Sequence, residues 1–307
     1  MSKPKKQHFI PQFVLRGFAK GKKDKAKLWT FDKETGRAFL SAVKDTAHEN
    51  QFYKGTNLDG DCLEREDLMR YVDGLGAEAI QQIIRTQTLP LSGKAPVSLS
   101  YFVAAQMFRV PAIRNEMDVL RKTVISKWGP EIRYADDDRP ISAYSHEDSK
   151  FSSLLGLQDV PEIARLLQTK TWFLLRAPLE ACFILSDNPV VRHNYIDYWP
   201  RGSLGLKQDG IDVYLPISPR LAVQFICPKM ANLLRGTSEG RRMLEFQNKG
   251  EAVPVQVENV TFVNSLQVIY CERFLYSRRE ADFDLAKDMI REHPDLARPA
   301  STKIIAN

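Results

Sequence analysis

Apolar and polar positions alternate over KLWTFDKETGRAFL (Lys27–Leu40), with Trp29 and Phe31 on one side, a DKETG turn, and a second apolar segment beyond it. This pattern predicts a β-hairpin. VKDTAHENQFYKG extends it by a short strand or edge ending at Gly55, so a small β-region covers about residues 27–54. From Asp61 the period becomes helical: Leu63, Leu68, Tyr71, Val72, Leu75, Ala79, Ile80, Ile83 and Ile84 fall near one face, with Gly74 and Gly76 expected to split or loosen the helix. After a linker with two prolines, LPLSGKAPVS, the stretch LSYFVAAQMFRVPAIRNEMDVLRKTVISKW reads as a long helix that Pro111 should kink or break beyond Arg109. The helical region spans 61–128.

Residues 129–150 are polar and acidic with two prolines, which predicts a mobile loop. A short helix, PEIARLLQTK, precedes four apolar runs, TWFLLRAP, EACFILSDNPVV, GIDVYLPIS and RLAVQFICP, bounded by Pro, Gly, Asp or Asn. They predict a second sheet, mixed or antiparallel, over residues 170–228. Two helices, in NVTFVNSLQVIYCERFLYS and EADFDLAKDMIREHP, fill 259–293, and a polar tail covers 294–307. No regular βαβ alternation is present, so the order of elements predicts one large α+β domain over residues 1–280.

Composition narrows the class. With 307 residues, 43% of them hydrophobic and 27% charged, the chain can bury a substantial core without staples. Cys62, Cys182, Cys227 and Cys271 form no CxxC pair, which argues against a zinc ribbon and for reduced thiols in a cytoplasmic protein. The basic opening is not followed by a long apolar run, so no secretory signal is expected, and no segment has the ~20 apolar residues that span a bilayer. The net charge of +6 is concentrated in KPKK and in the Lys20–Lys27 run. Such a basic edge either attracts nucleic acid or is a solvated loop.

Four stretches carry candidate chemistry. In QHFIPQFVLRGFA, His8 is a general base, a metal ligand, or a structural histidine bonded to a backbone carbonyl; Gln12 follows it. HENQFY sets Glu49 and Asn50 beside an aromatic pair. FILSDNPVV ends an apolar strand in Asp187 and Asn188, a place for binding groups and equally a good turn. In QMFRVP, Gln106 and Arg109 share a helical face, where Arg109 could hold a phosphate or carboxylate, or pair with Glu64 or Glu66. Walker A, GxGxxG, GxSxG and HExxH motifs are absent, which weighs against ATPases, dinucleotide oxidoreductases, α/β-hydrolases and zincins.

Taken in order, with YLPISP after them, these stretches resemble the uncharacterised family known as domain of unknown function 4238, whose members open on a His-x-x-Pro segment and carry a Ser-Asp-Asn-Pro turn. The resemblance covers about residues 7–278 and implies importance for His8, Pro11, Asn50, Tyr53, Arg109, Asp187, Asn188 and Pro189, without dividing fold from function. Two functions compete. In the first, a metal-assisted nuclease, His8, Glu49 and Asp187 converge on Mg²⁺ or Mn²⁺ or on an attacking water, Gln12, Asn50, Gln106, Arg109 and Asn188 hold substrate, and the N-terminal lysines steer nucleic acid. In the second, the same residues form a buried polar network in a module that binds nucleic acid or protein. A small-ligand sensor around Arg109 and Asp187 is a third class.

Overall fold

The computed structural model describes residues 6–21, 25–89, 93–135, 137–196 and 204–303. Most of the basic leader (residues 1–5), the centre of the lysine run (22–24), part of the linker (90–92) and the last residues (304–307) lie outside the described residues.

The chain starts with β1 (Lys6–His8) and α1 (Gln12–Gly17). The expected hairpin follows as β2 (Lys27–Asp32) and β3 (Arg37–Ala42), with Trp29 opposite Leu40. β4 (His48–Asn50) pairs antiparallel with β1, setting His8 opposite His48 and Gln7 opposite Glu49. A second small hairpin, β5 (Lys54–Thr56) and β6 (Cys62–Glu64), occupies residues where a helix was expected from position 61, so the helical region opens at Glu66. There α2 (Glu66–Thr86) runs unbroken through both of its glycines. Gly76 serves contact rather than a break: a methyl group there would overlap the Phe102 ring of α3 (Lys94–Phe108). Pro111 does break the long helix. It opens α4 (Pro111–Trp128), where its fixed φ and missing N–H suit the first turn.

The stretch expected as a loop over 129–150 contains the start of α5 (His146–Leu155). Ser145 and Asp148 exchange side-chain and backbone hydrogen bonds in a capping box, a helix signal hidden in polar sequence. After α6 (Val160–Gln168) the chain forms β7 (Thr171–Arg176), β8 (Leu185–Ser186), β9 (Val191–Asn194), β10 (Ile211–Ser218) and β11 (Leu221–Ile226). Then come α7 (Pro228–Leu234), α8 (Ser238–Asn248), β12 (Val253–Pro254), α9 (Val257–Tyr270), β13 (Phe274–Ser277) and α10 (Asp284–Glu292).

The fold is α+β. Its five-stranded sheet runs β12-β7-β11-β10-β9, antiparallel except where β12 joins β7, so it is mixed. Every residue of β10 and β11 is buried, because both faces are covered. On one face Val213, Leu215, Val223 and Phe225 pack with Phe102, Val103 and Leu167. On the other, Tyr214, Ala222 and Ile226 pack with Val260, Val263 and Leu266. A second sheet, β3-β2-β13-β8, extends the N-terminal hairpin with β13 from the far end of the chain and β8 from its middle. β13 lies in CERFLYS, expected to continue α9; a short apolar run fits strand and helix alike, and pairing with β2 and β8 decides. The expected polar tail is packed through residue 301: Ala300 N–H donates to the Cys271 carbonyl at 3.2 Å and Ser301 N–H to Glu272 Oε1 at 2.7 Å. The four cysteines are unpaired. Among the described residues no helix is long and apolar enough to cross a membrane.

Candidate functional site

The motif residues of the first half of the chain meet around its opening strand. Gln7, buried, donates from Nε2 to Glu66 Oε2 (2.8 Å) and accepts the Tyr53 N–H at Oε1 (2.7 Å). The Tyr53 hydroxyl donates to the His8 carbonyl (2.7 Å), and Gln106 Nε2 donates to the Phe9 carbonyl (3.0 Å). Arg109, fully buried, holds Gln106 Oε1 from Nε (2.9 Å) and forms an ion pair with Asp73. The partner expected for Arg109 was Glu64 or Glu66; Glu66 is taken by Gln7 and by Arg70, and Asp73, two turns further along α2, fills the role. This set is a polar lock, in which each side chain satisfies a backbone group or another member.

His8, Glu49 and Asp187 have separate partners. The His8 ring stands edge-on to His48 with centroids 5.5 Å apart and faces the backbone at Val43 and Lys44. Burial, and then the His48 charge, lower its pKa, and burial also lowers that of His48. Glu49 forms an ion pair with Arg114 of α4 at 2.5 Å. Asp187 is buried and its two oxygens accept the backbone N–H groups of Glu272 (2.8 Å), Arg273 (2.7 Å) and Phe274 (2.8 Å), which fixes the turn between α9 and β13. Gln12 Oε1 accepts from Arg16 one turn on, and Asn50 is exposed. Among the described residues no group of three or more His, Cys, Asp or Glu side chains could hold a metal ion.

A different place holds two charged groups that form no ion pair among the described residues. A cavity of about 870 Å³ opens between the end of α3 (Met107, Phe108), α4, α6, β9 and the end of α9 (Ile269, Tyr270). Its walls are mostly apolar, and Asn188 of the SDNP turn reaches them, donating from Nδ2 to the Tyr270 carbonyl at 3.2 Å. Two charged groups stand inside it. Arg192 donates from Nη1 to the Leu204 carbonyl (2.9 Å) and has no carboxylate within ion-pair distance among the described residues. Burial lowers its pKa, yet a guanidinium stays charged at neutral pH. Glu116 makes no hydrogen bond among the described residues; burial, reinforced by the charge of Glu272 and opposed by Arg192, pushes its carboxyl up to about 7. At the mouth Lys207 pairs with Glu162 at 3.0 Å. The interior can therefore take an anion at Arg192 and give or take a proton at Glu116.

The model of the family described as Protein of unknown function (DUF4238) matches residues 6–281. The chain belongs to this family. No curated protein and no solved structure matches it. The DUF4238 stretches divide in an instructive way: in QMFRVP, Gln106 and Arg109 turn to the lock while Met107 and Phe108 line the cavity, and in SDNP, Asp187 fixes a turn while Asn188 lines it. Of the candidate residues, only Asn188 lies in the wall. Glu116, Arg192 and Tyr270 escaped the sequence reading. Arg192 carried a signal, a cation at an inward position of the strand following SDNP; Glu116 carried none, since its carboxyl sits in an ordinary amphipathic helix.

Proposed function

We propose that the protein binds, in the Arg192 cavity, a small molecule that joins one anionic group to an apolar body. The observation that carries this reading is a desolvated arginine with no carboxylate within ion-pair distance among the described residues, set among apolar walls beside a carboxyl that burial raises to about 7. A carboxylate or phosphate bound at Arg192 would replace the missing anion, the protonated Glu116 would donate to it, and the walls of α3, α6 and α9 would cover the rest. A carboxyl near 7 is also matched to acid–base catalysis at physiological pH, so turnover of the bound molecule is the second reading.

A nuclease built on His8, Glu49 and Asp187 is the weaker proposal. Asp187 already has three amide donors on its oxygens, and Glu49 already neutralises Arg114. The cavity mouth carries Asp159 and Glu162, and its lysine is paired, which offers a polyanion no basic track. Cleavage of DNA or RNA with Mg²⁺ or Mn²⁺ that disappears in His8→Ala and survives in Arg192→Gln would restore it.

The direct test uses phenylbutyrate as probe. At saturation a ligand at a hundred times its Kd stabilises by about 2.7 kcal/mol, which raises the melting temperature by a few degrees. We expect that rise in the wild type and in Asp212→Asn, and its loss in Arg192→Gln. An equal rise in Arg192→Gln, or none in the wild type with phenylbutyrate or phenylbutyl phosphate, would remove Arg192 as the anchor.

A further inference from the structure

The opposite face of the five-stranded sheet holds a second cavity, of about 290 Å³, with the reverse electrostatic character. Side chains alternate across β9 and β10, so Arg192 and its partner Val213 point to one face while His193 and its partner Asp212 point to the other. Asp212 is 1% exposed. Its Oδ2 accepts from Gln224 Nε2 (2.9 Å) and from the Tyr214 hydroxyl (3.2 Å). Because Tyr214 donates there, it accepts from Gln224 Nε2 (3.0 Å) and from the Tyr195 hydroxyl (3.0 Å). Both N–H groups of the Gln224 amide and both hydroxyl protons are then committed, and none remains for Asp212 Oδ1, which has no hydrogen-bond partner among the described residues. Lys170 acts on Asp212 through space without an ion pair, and the Cys227 backbone N–H also faces the carboxylate and favours its charge, without reaching Oδ1 at hydrogen-bond geometry.

A buried carboxylate oxygen without a donor costs free energy, and the surrounding walls show what would supply one. Phe262 stacks on Tyr195 with centroids 6.3 Å apart and meets Tyr214 edge-on at 6.1 Å; Met230 and Met243 close the far side. Aromatic faces beside a carboxylate favour an organic cation. They disfavour a hard metal ion, which needs several oxygen ligands where these walls offer thioethers and rings. Tyr195, half exposed, and Asn259, exposed, stand at the entrance.

We propose that this cavity binds a small primary or secondary amine on an aromatic or short aliphatic body, its ammonium donating to Asp212 Oδ1 and lying against Tyr195, Tyr214 and Phe262. The volume sits at the lower end of the roughly 300–1,000 Å³ typical of small-molecule sites, so the ligand is about the size of phenylethylamine. The site is independent of the Arg192 cavity and stands or falls without it.

Phenylethylamine is the probe, with phenylethanol as its neutral counterpart, both titrated calorimetrically into the full chain. The amine is expected to bind and the alcohol to bind at least about tenfold more weakly, the effect of losing a charge-assisted hydrogen bond. Asp212→Asn keeps the shape and should weaken the amine about ten- to hundredfold. Phe262→Leu, which keeps Asp212 and removes one aromatic face, should weaken it severalfold. A far-ultraviolet circular dichroism spectrum and a cooperative thermal transition like those of the wild type in Asp212→Asn, or failing that in Phe262→Leu, show that the variant is folded. Equal affinity for amine and alcohol, an unchanged affinity in folded Asp212→Asn, or no heat from the amine in the wild type would each overturn the proposal.

Discussion

The polar lock and the Arg192 cavity are both made of charged side chains set among apolar ones, yet they dispose of charge in opposite ways. In the lock Arg109 meets Asp73 and Gln106, and Glu66 meets Gln7; across the molecule Asp187 meets three amides. In the cavity, among the described residues, Arg192 meets one carbonyl oxygen and Glu116 meets no hydrogen-bond donor. The lock resembles an ordinary solution to the burial of polar groups: its charges meet a counter-charge or amides, although Arg109 Nη2 and His8 Nε2 find no hydrogen-bond partner among the described residues. The cavity leaves desolvation uncompensated, a cost that a fold does not need for its own sake and that a ligand can offset. Prominence of a motif in the chain and availability for chemistry are therefore separate properties here.

The largest effect that can break this comparison is at Asp187. Asp187→Ala strips the acceptor from three N–H groups, that of Glu272 buried and those of Arg273 and Phe274 partly so, at about 1–3 kcal/mol each where buried, so a loss of ~3 kcal/mol is expected in urea unfolding. Arg192→Gln should unfold close to the wild type, because it removes a charge that meets no carboxylate within ion-pair distance among the described residues. If Asp187→Ala were as stable as the wild type and Arg192→Gln were crippled, the assignment of structural and functional charge would have to be exchanged.

That ranking also explains what the chain disclosed. Periodicity revealed the hairpin at Lys27–Ala42, the helices around Pro111 and the strand-rich stretch from Thr171, since these elements bury one recurring set of apolar positions. It did not reveal β13 or the β5–β6 hairpin, whose existence depends on strands brought from elsewhere, nor α5, announced only by Ser145 and Asp148. Motif reading touched the lock at Tyr53, Gln106 and Arg109, conspicuous polar residues in apolar runs, and passed over Gln7 and Asp73. It missed Glu116 and Arg192 because local sequence, even with a cation at an inward strand position, does not distinguish an unpartnered charge from a paired one. Only the packing of α4 against β9 and α9 makes that distinction.

Next in size is the pH dependence of Glu116. Its carboxyl is raised from an ordinary 4.5 to about 7 in the folded protein, so between these values the folded state holds more protons than the unfolded state. The stabilising contribution of the neutral carboxyl is full below about 4.5 and is lost as pH rises through 7. Glu116→Gln, shaped like the neutral acid, should leave stability unchanged near pH 4.5 and raise it at pH 8 by on the order of 2–3 kcal/mol. Chemical unfolding at the two pH values reads this directly. An equal effect at both would mean that Glu116 contributes through packing, and the reading of a proton-sharing anion site would weaken with it.

The smallest effect sharpens the comparison from the side of the lock, and its pH sign is opposite. Burial and the neighbouring His48 hold the His8 pKa below its usual 6.5, so the folded state prefers the neutral ring. Its contribution is present above that value and is lost as pH falls through the lowered pKa. His8→Ala should cost about 1 kcal/mol at pH 7.5 and flatten the decline in stability below 6.5, measured by melting temperature across the acid range. It should leave phenylbutyrate binding untouched, because the imidazole packs against His48 and the Val43–Lys44 turn rather than in the cavity wall. Loss of that binding in a folded His8→Ala would show the opening strand and the cavity to be one coupled unit, and the division between paired and unpaired charge would then describe two ends of a single site.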